Sequence, residues 1–359
     1  MTRILVVDDS ALVRRVLGEI LREGDFEVEF ARDGVEAMER LHAFKPDVVT
    51  LDVEMPGMDG LEVLDRIMVE RPCPVVMVSS LTSEGAETTL TALELGAVDF
   101  VPKPGGVLSL SADELAPRLI DTVALAAKAR VRSSLRLVER LRARRTTGAA
   151  GARKRTSVTR STSSASGAPS GLVVIGTSTG GPAALDVVLS DLPETFPWPV
   201  LVAQHMPASF TGSLAARLDG LCALSVVEVT APTLIETGVV YVARGDADMI
   251  VSRRSEGLVV LPAPSSAKHR WHPSVDRLMV SAMDHLAADR LAGVLMTGMG
   301  NDGAGAMAAL RAAGGRTIAE SEASAVVWGM PGELVRADGA DFVEDLDDIA
   351  GRLIQMLMR

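Results

Sequence analysis

Apolar and polar positions along the chain change rhythm in three stages. Up to about residue 105, short apolar runs at 4–7, 28–30, 48–51, 75–78 and 100–101 alternate with stretches near 10–23, 34–44, 60–70 and 84–95 whose apolar residues recur at helical spacing. Five such β-α units predict a doubly wound parallel sheet. A helical stretch rich in Ala, Leu and Arg follows over 113–145, and then TTGAAGARKRTSVTRSTSSASGAPS loses all periodicity. That segment is small, polar and basic, with nothing to bury, and it predicts a disordered tether. From residue 171 the alternation resumes, with strands expected at 172–175, 200–203, 225–229, 239–242, 292–296, 316–319 and 341–343. Helices are expected at 182–190, 210–218, 273–287, 303–313, 331–337 and 346–357, and a hairpin over 249–261 turns on Glu256-Gly257. The fold class is α/β: two doubly wound parallel-sheet domains, the first flavodoxin-like and the second Rossmann-like, joined by a helix and a flexible linker. The boundaries expected are 1–122, 123–170 and 171–359. No internal repeat appears.

Composition narrows this picture. A chain of 359 residues can bury two separate cores. The net charge of −11 argues against a nucleic-acid binder, and the linker arginines read as a solvated tether. Cys73 and Cys222 stand far apart and form neither a disulfide framework nor a metal pattern, which fits a reducing compartment. The opening MTRILVVDDS has two aspartates where a signal peptide needs its apolar stretch, and no apolar run is long enough for a membrane span. The expectation is a cytoplasmic protein with no direct membrane insertion.

Parallel sheets present their chemistry at the carboxyl ends of the strands. In the first domain Asp8, Asp9, Asp52, Ser79 and Lys103 fall there. A lone Asp after a strand is usually a helix cap and a lone Lys is usually solvated, so it is the joint pattern that carries weight. Converging carboxylates repel one another, and a hard cation such as Mg²⁺ resolves the repulsion. Lys103 and Ser79 would then supply a point charge and a hydroxyl to a phosphoryl group. The motifs LVVDDS, LDVEMPGMDG, VVMVSS and DFVPKP, from residue 4 to 104, resemble the receiver domain of two-component response regulators. The resemblance implies phosphorylation of Asp52 and Mg²⁺ held by Asp8, Asp9, Asp52 and the Glu54 carbonyl. It also implies Ser79 and Lys103 as switch residues, Phe100 as the switch aromatic, and Met55-Pro56-Gly57 with Gly60 shaping the adjoining loop.

In the second domain LVVIGTSTGGPAALDVVL, 172–189, runs from strand through a tight turn into a helix that starts at Gly180-Gly181-Pro182. The turn exposes Ser178 beside the free N–H groups of a helix N-terminus, as a nucleophile requires. The alternative is a phosphate cradle. Against it, the glycines do not follow G-x-G-x-x-G, and the next strand ends in Gln204-His205 instead of a ribose-binding acid. A serine needs an imidazole to take its proton, and the imidazole needs a carboxylate to fix its tautomer. His205 and Asp302, in GVLMTGMGNDG, meet that need, although Asp302 taken alone reads first as the N-cap of the helix at 303–313. Among rival bases, His42 lies in the first domain, and His285 pairs at helical spacing with Asp289. His269 and His272 flank Trp271 in KHRWHP, a candidate wall of a substrate groove. No cluster has zinc spacing.

GTSTGGP, QHMP, LMTGMGNDGA and the later GMP together resemble the catalytic domain of chemotaxis protein-glutamate methylesterases, the CheB family, over 171–355. The resemblance implies Ser178 as nucleophile, His205 as base and Asp302 as orienting acid, with Thr179 and Met299 beside the oxyanion and no cofactor for hydrolysis. It implies hydrolysis of γ-glutamyl methyl esters on methyl-accepting chemoreceptors, releasing methanol, and deamidation of receptor glutamines. A chemotaxis histidine kinase would be the phosphodonor, and the unphosphorylated receiver would pack over the active site. Thr177, where many members have Ala, departs from the pattern; it adjoins the nucleophile but adds only a hydroxyl and a methyl, so the reaction is expected to be unchanged. Two rival readings stay open: a response regulator whose output domain only binds a partner, and an esterase or amidase with other substrates.

Overall fold

In the computed structural model, which describes residues 1–80, 82–103, 112–129 and 169–358, the apolar runs form two parallel sheets. The first contains β1 (Arg3–Val7), β2 (Glu27–Ala31), β3 (Val48–Asp52), β4 (Val75–Ser79) and β5 (Asp99–Pro102), in the order β2-β1-β3-β4-β5. Helices α1 (Ala11–Glu23), α2 (Gly34–Phe44), α3 (Gly60–Glu70), α4 (Ser83–Glu94) and α5 (Ala112–Ala126) accompany them. β3 and β4 are buried at every residue. Strands covered on both faces read as continuous apolar runs, which is why they were legible. Ser10, Asp33, Asp59 and Thr82 each accept a hydrogen bond from a first-turn N–H and so begin α1 to α4.

The second sheet is built from β6 (Leu172–Thr177), β7 (Val200–Gln204), β8 (Ser225–Val229), β10 (Val239–Ala243), β13 (Leu291–Leu295), β14 (Arg316–Glu320) and β15 (Phe342–Glu344). Its order is β15-β14-β13-β6-β7-β10-β8. The helices are α6 (Gly181–Ser190), α7 (Ala208–Leu221), α8 (Val275–Met283), α9 (Ala304–Ala312), α10 (Met330–Arg336) and α11 (Leu346–Leu357), with a 3-10 turn at Ala288–Arg290. β6 lies at the centre with β7 on one side and β13 on the other. The chain reverses direction across the sheet there, and a crevice opens beyond the carboxyl ends of these three strands.

Three expectations change. The helix expected over 113–145 stops at Ala126, where its apolar stripe of Leu115, Leu119, Val123 and Ala126 gives out. Because Val123 and Ala126 pack into the first core, that domain extends past the expected boundary at 122. The rest of the expected helix and the basic tether, 130–168, lie outside the described residues. In the hairpin, β11 (Asp248–Arg254) and β12 (Gly257–Ala263) place Arg254 opposite Gly257. The turn is therefore Ser255-Glu256, one residue earlier than expected, and Gly257 opens the return strand at φ +139. The two-residue β9 (Thr233–Leu234) joins β12 in a separate antiparallel sheet, too short to leave a periodic signal.

The N-terminal domain is seated on the C-terminal one through α4 and β5. Phe100 of β5 meets Phe210 of α7 with ring centroids 4.3 Å apart. Arg217 of α7 donates to the Leu90 carbonyl at 3.2 Å and pairs with Glu94, both on α4, while also holding Asp186 of α6 at 2.5 Å. Burial pushes the Asp186 carboxyl up to about 6, against the pull of Arg217. Across the same seam the Thr179 hydroxyl donates to Asp99 at 2.5 Å.

Candidate active site

The turn after β6 is fixed from both sides. Ser178 N–H donates to the Thr297 carbonyl at 3.0 Å, while the Ser178 carbonyl accepts from Gly181 N–H at 2.8 Å and from Gln204 Nε2 at 2.9 Å. Gly180 adopts φ +75, where a side chain is strained. At Gly181 a Cβ would come within 2.0 Å of Gln204 Oε1, so the helix can start this close to β7 only with glycine. The loop after β13 passes just as near, since a Cβ on Gly298 would lie 2.7 Å from the Ser178 Cβ.

His205 follows β7, its N–H bonded to the Thr177 carbonyl at 3.0 Å, which ties it to the end of β6. Its Nε2 is 2.9 Å from Asp302 Oδ2. Its Nδ1 is buried and has no hydrogen-bond partner among the described residues. Trp271 lies parallel to the imidazole, with ring centroids 5.9 Å apart and an interplanar angle of 2°. Asp302 is not the N-cap of the helix that follows it: that position belongs to Gly303, at φ +88. The carboxylate turns instead to the N-terminus of α8, accepting from Val275 N–H at 2.7 Å, Asp276 N–H at 3.1 Å and the Ser274 hydroxyl at 3.0 Å. Burial pushes its pKa up, but His205 and the α8 amides outweigh that and hold it below the ordinary carboxylate range. An ionised carboxylate can only accept, so His205 carries its proton on Nε2 and presents a lone pair on Nδ1.

The strand ends thus join His205 to Asp302, with Ser178 following the neighbouring strand β6; among the described residues no hydrogen bond links the Ser178 hydroxyl to His205 Nδ1. Thr179 is adjacent, but its hydroxyl is taken by Asp99 of the N-terminal domain. Met299 lies between Gly298, bridged to Trp328, and Gly300, at φ +85 against Trp271. The rival histidines are otherwise engaged. His272 Nδ1 is 2.8 Å from Asp248, which also holds Arg277, and His42 pairs at the surface with Glu70. His285 lies beyond the end of α8. Sequence reasoning missed Ser274, Thr297 and the side chain of Gln204. The dipeptide Gln204-His205 drew attention only for its histidine, and KHRWHPS only for its rings.

In the N-terminal crevice Asp8, Asp9 and Asp52 place carboxylate oxygens within 4.8 Å of one another. Lys103 Nζ is 2.6 Å from Asp52 and 3.4 Å from Asp8 Oδ2, an oxygen that is buried without a hydrogen-bond partner. Burial pushes Asp52 up to about 6, with the Asp8 charge adding to it against Lys103. Such a cluster, short of positive charge, fits a divalent cation. Two expected members stand apart. Ser79 is turned toward α4, its hydroxyl 3.2 Å from the Gly85 carbonyl and accepting from Thr89 at 2.7 Å, because a buried hydroxyl takes the partners at hand. Phe100 packs on Phe210. Glu54 is exposed, and its N–H donates to Asp52 at 3.1 Å.

Residues 173–353 match the family model for the CheB methylesterase, and residues 4–112 the model for the response regulator receiver domain. A protein-glutamate methylesterase/protein-glutamine glutaminase of Rhodopseudomonas palustris (strain BisB18) is 55% identical over 99% of this chain and 98% of its own. One from Rhodospirillum rubrum is 53% identical over 100% of this chain and 97% of its own. The crystal structure of the Thermotoga maritima CheB methylesterase catalytic domain superposes with a TM-score of 0.50 at 35% identity, covering 52% of this chain and 98% of that one. Among the described residues no helix is long and apolar enough to cross a membrane.

Proposed function

The chain belongs to the CheB methylesterase family, and from that premise we propose that Ser178, His205 and Asp302 carry its reaction. It hydrolyses methyl esters on glutamate side chains of chemoreceptors and deamidates receptor glutamines, under the control of phosphorylation of its receiver domain. Ser178 Oγ attacks the ester carbonyl while His205 Nδ1 takes the hydroxyl proton. Asp302 meanwhile holds the imidazolium through Nε2. Backbone N–H groups of Thr179 and Met299 receive the oxyanion. Nδ1 then returns the proton to the leaving methoxide, which departs as methanol, or to the leaving amine in deamidation. Water, losing a proton to Nδ1, attacks the acyl-enzyme, and the proton passes back to Ser178 as glutamate is released. The observation that carries this reading is the 2.9 Å bond from Nε2 to Asp302, with the opposite ring nitrogen buried and without a hydrogen-bond partner among the described residues.

Asp52 is the phosphoryl acceptor in this reading, a chemotaxis histidine kinase is the donor, and the protein works in the cytoplasm. Asp8, Asp9, Asp52 and the Glu54 carbonyl would hold Mg²⁺, which when bound neutralises charge on the phosphoryl oxygens. Lys103 supplies a point charge beside it. Phosphorylation adds about −1.5 to −2 charges at Asp52 and biases the receiver away from its seat on the catalytic domain.

The test is methanol release from methylated receptor, with and without a small phosphodonor and Mg²⁺. Ser178→Ala should lose release by about 10⁴-fold or more while Asp52 still takes phosphate. Undiminished release from that variant would overturn the assignment.

A further inference from the structure

One residue behind the candidate pair, Ser274 has every hydrogen-bonding capacity committed. It is fully buried at the N-cap of α8, where its Oγ accepts from Arg277 N–H at 3.2 Å. The same Oγ is 3.0 Å from Asp302 Oδ1 and 3.2 Å from His269 Nδ1. A hydroxyl has one proton and two lone pairs. The ionised Asp302 only accepts, so the proton points at Oδ1. Arg277 N–H occupies one lone pair, and the other takes the Nδ1 proton of His269. Each role in the chain His269–Ser274–Asp302–His205 is thereby fixed by its neighbour.

We propose that Ser274, steadied by His269, is a positioning residue for the hydrolysis: it locks the Asp302 carboxylate with Oδ2 toward His205 and limits how strongly that carboxylate draws on the imidazole proton. The inference rests on the reading in which His205 and Asp302 are catalytic.

Asp302 accepts four bonds in two pairs. Oδ2 takes His205 Nε2 and Val275 N–H, and Oδ1 takes Ser274 Oγ and Asp276 N–H. Without the hydroxyl, Oδ1 keeps a single donor at 3.1 Å, and the carboxylate is free to rotate. A carboxylate with fewer donors is also the stronger base, and it favours the imidazolium. The titratable groups around it are His205 in front, His269 behind Ser274, and Asp276. The Asp276 carboxyl accepts from Ala306 N–H at 2.9 Å at the start of α9 and also lies against Asp302, burial and that neighbouring charge holding its pKa above the ordinary carboxylate range.

The experiment measures methanol release by the full-length, phosphodonor-activated protein across about pH 5 to 9, the range in which an imidazole base titrates. Ser274→Ala and Ser274→Gly should lower kcat about tenfold with little change in KM, as misplacement of a catalytic group does. Both should also move the acid limb of the rate profile upward by about half a pH unit. Ser274→Thr should restore rate and profile. Glycine caps a helix nearly as well as serine, so a loss seen with Ala but not with Gly would mean that Ser274 only caps α8. That result overturns the proposal, and so does any loss of rate with an unmoved profile. His205→Gln runs beside them. If it retains full rate, the catalytic reading itself fails. If it collapses while the Ser274 variants behave as wild type, only the positioning role fails.

Discussion

The two crevices of this molecule obey the same topological rule and carry opposite electrostatics. In the N-terminal one, Asp52 ends a buried strand beside Asp8. Its compensation is one ammonium and one backbone N–H, and its pKa rises to about 6. In the C-terminal one, Asp302 is buried comparably, yet two amides of a helix N-terminus, a hydroxyl and an imidazole hold it ionised. Burial alone decides neither case; the supply of donors does. The first crevice is short of positive charge until a cation and a phosphoryl group arrive. In the second, the carboxylate already has its donors from the same chain. A regulatory site must respond to an added group, whereas a catalytic triad must already be organised when the substrate binds.

The most severe way to break this comparison is to make the same substitution in both crevices. Asp302→Asn should lower kcat by about 10⁴-fold, since an amide no longer enforces the Nε2–H tautomer. Asp52→Asn should leave basal methanol release in place and abolish only its stimulation by a phosphodonor. Initial rates with methylated receptor measure both. A modest loss for Asp302→Asn would mean that the C-terminal crevice is not organised by its carboxylate.

Stability sharpens the contrast with a smaller effect. The folded pKa of Asp52, about 6, lies above its ordinary 3.8, so the folded chain binds that proton more tightly than the unfolded chain does. Its contribution to stability is full below about pH 4 and is lost as pH rises through about 6. At neutral pH the deficit is up to roughly 3 kcal/mol. Asp52→Asn should therefore raise the unfolding midpoint in metal-free buffer at about pH 7.5 and lose that advantage near pH 4. Asp302 has the reverse sign: its lowered pKa contributes stability above the unfolded value, lost as pH falls, so Asp302→Asn should do most damage at neutral pH. Denaturant titrations of both variants at the two pH values give the answer, and equal pH slopes would erase the contrast.

How much of this was legible beforehand depended on whether the signal was local. The buried strands announced themselves because both faces are covered, and Asp8, Asp52, Ser178 and His205 because they stand at strand ends. Asp302 was ambiguous in sequence, since an aspartate before a helix is ordinarily its cap. Only the fold shows that it serves another helix, through Val275 and Asp276. Which imidazole nitrogen bonds the carboxylate, and that Ser274 stands behind it, follow from contacts 97 and 28 residues apart along the chain, for which periodicity has no signal. The orientation of Ser79 was not legible either. Motif position names the hydroxyl, but its rotamer is chosen by Thr89 and the Gly85 carbonyl.

The smallest effect concerns what joins the two crevices. Asp99, one residue before Phe100, reaches over the seam to the hydroxyl of Thr179, and Thr179 adjoins the nucleophile. A carboxyl group of the regulatory domain is thus bonded at the rim of the hydrolytic crevice, while Phe100 on Phe210 and Arg217 on α4 hold the seat around it. Asp99→Ala removes one hydrogen bond of a carboxyl that burial pushes above the ordinary carboxylate range, worth about 0.5 to 1.5 kcal/mol net, from a docking equilibrium that other contacts also support. Basal methanol release should rise about threefold to tenfold, because the undocked fraction grows by that factor while it remains the minority. The fully phosphorylated rate should hardly change, since that population is already undocked. Removal of residues 1–150 sets the upper limit of the same effect. If Asp99→Ala leaves the basal rate unchanged while that truncation raises it, docking is governed by the aromatic and arginine contacts. If neither raises it, the regulatory crevice acts on the other only by activating it.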